Sequence, residues 1–266
     1  MLKMWEKKEY LFFFVLVPLA LILIYLIPQS VKESHFILHC EKQQALNLFL
    51  SNYTHSDLQH LLNNLLLYLS LMLLIFKFET KKGNFYVSVL SIFLVLPWIT
   101  SISTCLIKNI PPSQGSSGIF AGFAGYFLYV FYNYLKEKCK LKLSTHFVTM
   151  IFVLNAAIAM WMNGVYQPAI LISSSLIFLI YYNKVSLLAL FSFLSTKFKE
   201  LKKENLKERL KIVFWISLMM PFLFLLPFLI PKNVIAGGSL TNTLAHYIGY
   251  IFGLFLPILL DLLKNL

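Results

Sequence analysis

Eight stretches of this chain are long and apolar enough to be membrane helices, and that pattern constrains the fold more than anything else in it. They run at about 10–27, 57–76, 85–107, 116–135, 145–163, 167–183, 212–230 and 240–263. A hydrocarbon core about 30 Å thick needs about 20 residues of helix to cross it. Inside that core no water is available for backbone N–H and C=O groups, so a helix, which satisfies its own, is the natural spanning element. Apolar residues make up 59% of the chain, against about 45–50% in a soluble domain. The expected fold class is therefore all-α, a polytopic membrane helix bundle, taken as a single membrane domain over 1–266. The first apolar run, Leu11–Ile27, follows a basic start and precedes no A-x-A site. It is read as the first membrane helix rather than a cleaved signal.

The basic residues give the orientation. With the N-terminus in the cytoplasm, nineteen of the 23 Lys and Arg fall on the inner side, and four (Lys32, Lys42, Lys108 and Lys232) on the outer. This is the positive-inside pattern, and it accounts for the net charge of +12 without invoking nucleic acid. A missed span would swap every later loop and erase the bias. Both termini are thus expected in the cytoplasm of a multi-pass cell-membrane protein. Residues 184–211 read as a basic amphipathic cytoplasmic segment. Its apolar part, Val185–Leu194, would lie at the interface, and Ser195–Lys211 pairs Glu with Lys at helical spacing, as in Glu200/Lys203. The lipid bilayer is the implied partner of that segment. Cys40, Cys105 and Cys139 show no CxxC and no repeated spacing, so they imply neither a disulfide framework nor a zinc motif.

Polar side chains inside such spans are expensive and point to function. Three places hold them. The second span opens with His55, Asp57, His60 and Asn64; His60 and Asn64 are four apart and share a helix face. The fourth opens Gly115-Ser116-Ser117-Gly118 and continues with Gly122 and Gly125. The eighth carries His246, with Ala245, Gly249 and Gly253 at four-residue spacing. The small residues form two seams along which helix backbones can approach closely. All three spans run from outside to inside. At about 1.5 Å per residue, Ser117, His60, His246 and Asn64 lie within about 3–12 Å of the outer surface. Packing residues have no reason to share a depth. A hydroxyl, a base and two neutral donors at one level make the constellation of acyl transfer.

These residues resemble those of the rhomboid intramembrane serine proteases. That family has a His-x4-His-x3-Asn element in its second core helix, GxSG at the head of the fourth and AHxxG in the last. Here these are His55, His60 and Asn64, then Gly115-Ser116-Ser117-Gly118, then Ala245-His246-Tyr247-Ile248-Gly249. The resemblance implies that Ser117 is the nucleophile and His246 its base. The backbone N–H of Ser117 and the side chains of His60 and Asn64 would form the oxyanion hole. His55, Gly115, Gly118, Gly249 and Gly253 would support the site. The family works with a dyad, so no third carboxylate, metal or cofactor is implied. Expected substrates are transmembrane proteins whose helix unwinds near the outer face, toward which the site opens.

Three departures stand beside this resemblance. The family core has one span between the serine and histidine helices, whereas this chain has three. The two extra spans lie within about 145–230, and an odd number keeps His246 on the side of Ser117. Pro28–Ser56 holds neither Trp nor Arg, where the family's first outer loop commonly has both. Ala121 stands where many members carry a tyrosine. The altered loop and Ala121 motivate an alternative, a catalytically inactive rhomboid-like protein that binds or escorts membrane proteins. A third reading, a membrane metal site or transporter, would use His55, Asp57, His60 and His246.

Overall fold

The computed structural model describes residues 5–41, 44–107, 112–224, 235–236, 239–240 and 243–264. Pro111, Asn242, Lys3, Lys42, Lys108, Lys232 and the end of the predicted 212–230 span lie outside them. The regular structure of the described residues is helical, apart from a two-residue antiparallel pairing of Ile235–Ala236 with Ser239–Leu240 and an isolated antiparallel bridge between Leu38 and Ser113. Four helical stretches among the described residues are long and apolar enough to cross a membrane: Lys7–Tyr25, Leu58–Phe78, Lys82–Cys105 and Thr243–Leu263. A fifth results if Tyr166–Tyr182 and Lys184–Leu201, bent by 72°, form one broken span. The remaining three predicted stretches are helical but are not among these. Helix α8 (Ser117–Glu137) is diluted by three glycines and four tyrosines, α9 (His146–Met162) has 17 residues, and α12 (Leu206–Leu223) begins with charged residues.

The chain forms two compact units, Met1–Phe127 with Pro231–Leu266, and Leu128–Ile230. In the first, α1 (Lys7–Leu11) and α2 (Val17–Tyr25) are joined by a π-helical turn over Phe12–Leu16. Such a turn interrupts the regular ladder of carbonyls, and here the Phe13 carbonyl accepts from Tyr68 Oη at 2.9 Å. Tyr68 belongs to α5 (Leu58–Phe78), so the stretch Lys7–Tyr25 is pinned to α5 at that point. An aromatic cluster holds the start of α1 against the end of α5. Trp5 stacks on Phe76 at 4.2 Å and donates to its carbonyl, and Phe85 meets Trp5 edge-on.

Between α2 and α5 lie the short helices α3 (Gln29–His35) and α4 (Ala45–Leu50). The stretch Lys82–Cys105 is broken at Val95 into α6 (Lys82–Leu94) and α7 (Leu96–Cys105). Pro97, which has no N–H to give to the ladder, stands just after the break. Asn52 stitches the loop before α5 to α7: its amide donates to Ser101 Oγ at 2.8 Å, and its carbonyl accepts from Thr100 at 2.9 Å. The structure also joins Cys40 to Cys105 by a disulfide. The absence of a cysteine motif had implied no such framework. The pair is brought together by tertiary packing, across 65 residues, and not by local spacing.

The α8 side chains are buried on all faces from Ile119 to Val130, which makes α8 a core helix. It packs against α13 (Thr243–Leu263). In the second unit, α9 packs on α10 (Tyr166–Tyr182), and Asn155 Nδ2 donates to the Leu223 carbonyl of α12 at 3.0 Å. Asn183 caps the end of α10, and the chain then bends into α11 (Lys184–Leu201), which covers the predicted interfacial segment.

Candidate active site

The site is built by three helix starts. Helix α5 begins after Asp57, whose carboxylate accepts from the His60 N–H at 2.7 Å and from the Ser56 hydroxyl at 2.8 Å. This is an N-cap, worth about 1 kcal/mol. The His60 N–H and the Ser56 hydroxyl hold the Asp57 carboxyl below the usual carboxylate range. Asp57 thus sets where His60 and Asn64 stand on the helix.

Helix α8 begins at Ser117, and the chain reaches it through Gly115 at φ +139°. Side chains rarely tolerate that conformation, and a Cβ there would also press on His60 Cε1 at 3.3 Å. The approach is pinned on both sides. The Gly115 N–H donates to the Ser51 carbonyl at 2.9 Å, and Leu38 and Ser113 exchange backbone bonds at 2.9 and 3.2 Å. The loop carrying Cys40 therefore pairs with the segment leading into Ser117.

Helix α13 brings His246. Along its contact with α8, a Cβ on Gly249 would overlap the Gly118 carbonyl, and one on Gly253 would overlap that of Gly122. A Cβ on Gly125 would overlap the Tyr250 carbonyl, and one on Gly118 would stand 3.2 Å from Ala245 Cβ. The two small-residue seams read from the sequence thus lie against each other. Because the backbones touch, His246 Nε2 comes within 2.7 Å of Ser117 Oγ. His246 is 6% exposed, and Ser117 is half-buried.

Both residues open onto a cavity of about 460 Å³. His60, Gly115, Asn52, Thr100 and Ser101 line it with them. Several of the lining side chains are polar, so the cavity can hold water. Asn64 is not among the residues lining it; Asn63 is. Asn64 is buried, with its amide nitrogen 2.9 Å from His55 Nε2. His55 meets the His60 ring edge-on at 5.1 Å and lies 2.9 Å from Ser116 Oγ. Burial pushes the His55 imidazole down to about 3, with His60 and Lys32 acting the same way and Asp57 against.

Sequence reasoning missed Ser116, Asn52 and the cystine. Ser116 was legible only as the variable position of GxSG. Asn52 lies in a loop where a polar residue needs no explanation. Among the described residues no three His, Cys, Asp or Glu side chains gather in a way that could hold a metal ion. Comparison with family models, with curated proteins and with solved structures finds no match for this chain.

Proposed function

We propose that this protein is an intramembrane serine endopeptidase that cleaves transmembrane protein substrates near the outer membrane face with a Ser117–His246 dyad. The observation that carries this reading is the 2.7 Å contact between Ser117 Oγ and His246 Nε2. Hydrogen-bond reach between nucleophile and base is what activates a serine. A cavity of about 460 Å³ with polar side chains in its lining opens at the same point.

In the reaction, Ser117 Oγ attacks the substrate carbonyl and His246 Nε2 takes its proton. Nε2 must therefore begin unprotonated, with the ring proton on Nδ1. The imidazolium then gives the proton to the leaving amine. Water from the cavity, deprotonated by His246, attacks the acyl carbon, and His246 returns that proton to Ser117 Oγ as the acyl–oxygen bond breaks. The N–H of Ser117 belongs to the first turn of α8, where N–H groups have no intrahelical acceptor and the helix dipole favours negative charge. It is the proposed first donor to the oxyanion. His60 from the cavity wall and Asn64 are the others; an amide has two N–H groups, and only one of Asn64's is turned to His55.

The substrate must present an unwound segment, because a helix in lipid keeps its carbonyls in its own hydrogen bonds. The cystine supports the outward orientation. Cys40 falls in a segment that the lysine distribution places outside, Cys105 ends the helix that the same distribution runs toward that side, and disulfides persist in oxidising compartments. The full-length protein, reconstituted with a single-span substrate, tests the reading. Cleavage is expected in the wild type and a loss of about 10³-fold or more in Ser117→Ala. Undiminished cleavage by Ser117→Ala would overturn it.

A further inference from the structure

One buried ring nitrogen joins two parts of the proposed site. His55 Nε2 lies 2.9 Å from Asn64 Nδ2 and 2.9 Å from Ser116 Oγ. His55 is 1% exposed, Ser116 0% and Asn64 6%. With the amide oriented as it stands, Asn64 is the donor, so Nε2 is unprotonated and the ring proton sits on Nδ1. The Ser116 hydroxyl then donates to the same nitrogen. His55 Nδ1 is buried with no hydrogen-bond partner among the described residues. A buried N–H without a partner costs stability, so packing alone does not explain a histidine here.

We infer that His55 and Ser116 form a brace that positions the oxyanion side of the site. The inference rests on the function proposed above and adds two positioning residues to it. His55 stands in the loop before α5, Asn64 in the second turn of that helix, and Ser116 immediately before the nucleophile. His55 and Ser116 are almost wholly buried and do not line the cavity, so each is placed to act through a neighbour. Holding one Asn64 N–H on His55 fixes the plane of the amide and therefore the direction of its other N–H. Holding Ser116 Oγ on the same nitrogen fixes the peptide that carries the Ser117 N–H. The brace keeps both donors in register while negative charge develops on the carbonyl oxygen, a task in which small displacements are costly.

The test is the second-order rate of fluorophosphonate labelling at Ser117 in the full-length protein, measured with its thermal midpoint. His55→Leu removes the acceptor, and the rate is expected to fall about tenfold to a hundredfold. His55→Gln returns an acceptor oxygen at similar reach and restores most of the rate. Ser116→Ala lowers the rate with the midpoint near wild type. Adding it to His55→Leu costs nothing further, the non-additivity expected of a shared contact. Labelling of Ser116→Ala and His55→Leu at the wild-type rate would overturn the brace alone. Failure of the wild type itself to label would overturn the proposed function and the brace with it. A loss in His55→Leu that tracks its thermal midpoint and that Gln does not restore would also refute the brace, leaving His55 a structural residue.

Discussion

Gly249 lies so close to the Gly118 carbonyl that no Cβ fits between them. One turn on, Gly253 meets the Gly122 carbonyl in the same way. The distance between Ser117 and His246 is therefore set by the backbones of α8 and α13, not by side chains that could adjust.

Enlarging Gly249 should separate the dyad without touching it. Gly249→Val is expected to lower substrate cleavage by about 100-fold or more, since about 1 Å of misplacement can cost that much. Gly83 is the control, because a Cβ there meets nothing within 4 Å. Gly83→Ala should leave cleavage unchanged and stability within about 0.5 kcal/mol. Cleavage assays and thermal midpoints on both variants check this.

Acid should act through His55. Its folded pKa, about 3, lies below its ordinary 6.5. Between those values the unfolded chain binds the extra proton, so the stability contributed by neutral His55 is complete above about 6.5 and is lost as pH falls toward 3. His60, Asp57 and Lys32 are the charged or titratable groups acting on it. Asp57 adds its own loss only as pH falls below its ordinary 3.8. The wild-type thermal midpoint should therefore fall from about pH 6.5 downward more steeply than that of His55→Gln, by up to about one proton's worth of slope.

Removing the disulfide should loosen the approach to Ser117. Leu38, two residues before Cys40, pairs with Ser113, four residues before Ser117. Cys40→Ser or reduction should lower the thermal midpoint and speed proteolysis of the loop around residue 40. The loss should be smaller than the about 4 kcal/mol that loop closure over 65 residues gives in free solution. Two helices long and apolar enough to cross a membrane, Leu58–Phe78 and Lys82–Cys105, lie between the two cysteines, and a bilayer would restrict them in the unfolded state as well.

Asp57 acts as a cap, so its charge should matter less than its acceptor oxygen. Asp57→Ala should destabilise the protein by about 1 kcal/mol, and Asp57→Asn by a few tenths, because Asn caps about as well as Asp. Equal losses in the two variants, measured by equilibrium unfolding, would contradict the cap.

The helices were legible because apolar runs of membrane length leave few alternatives. The facing seams were legible because small residues recur at one-turn spacing in 118–125 and 245–253. The span count was less so: α8 carries glycine and tyrosine where a lipid-facing span would carry leucine, since it is covered by protein on all sides. His246 could be placed near Ser117 from depth and polarity. The orientation of Asn64 could not, because i to i+4 spacing gives a shared face but not the rotamer, and His55 lies nine residues away in a loop. Cys40 with Cys105 and Ser116 with His55 are likewise set by how loops fold back on helices, which no local pattern encodes. The break at Val95 was marked only by Pro97.

Intact-protein mass spectrometry after exposure of the bilayer-reconstituted protein to a fluorophosphonate tests the central claim most directly. The account predicts a single adduct on Ser117 in the wild type, none in Ser117→Ala, and labelling slowed by about 10³-fold or more in His246→Ala. A folded wild-type protein whose Ser117 stays unmodified, or a His246→Ala variant labelled at the wild-type rate, would contradict it.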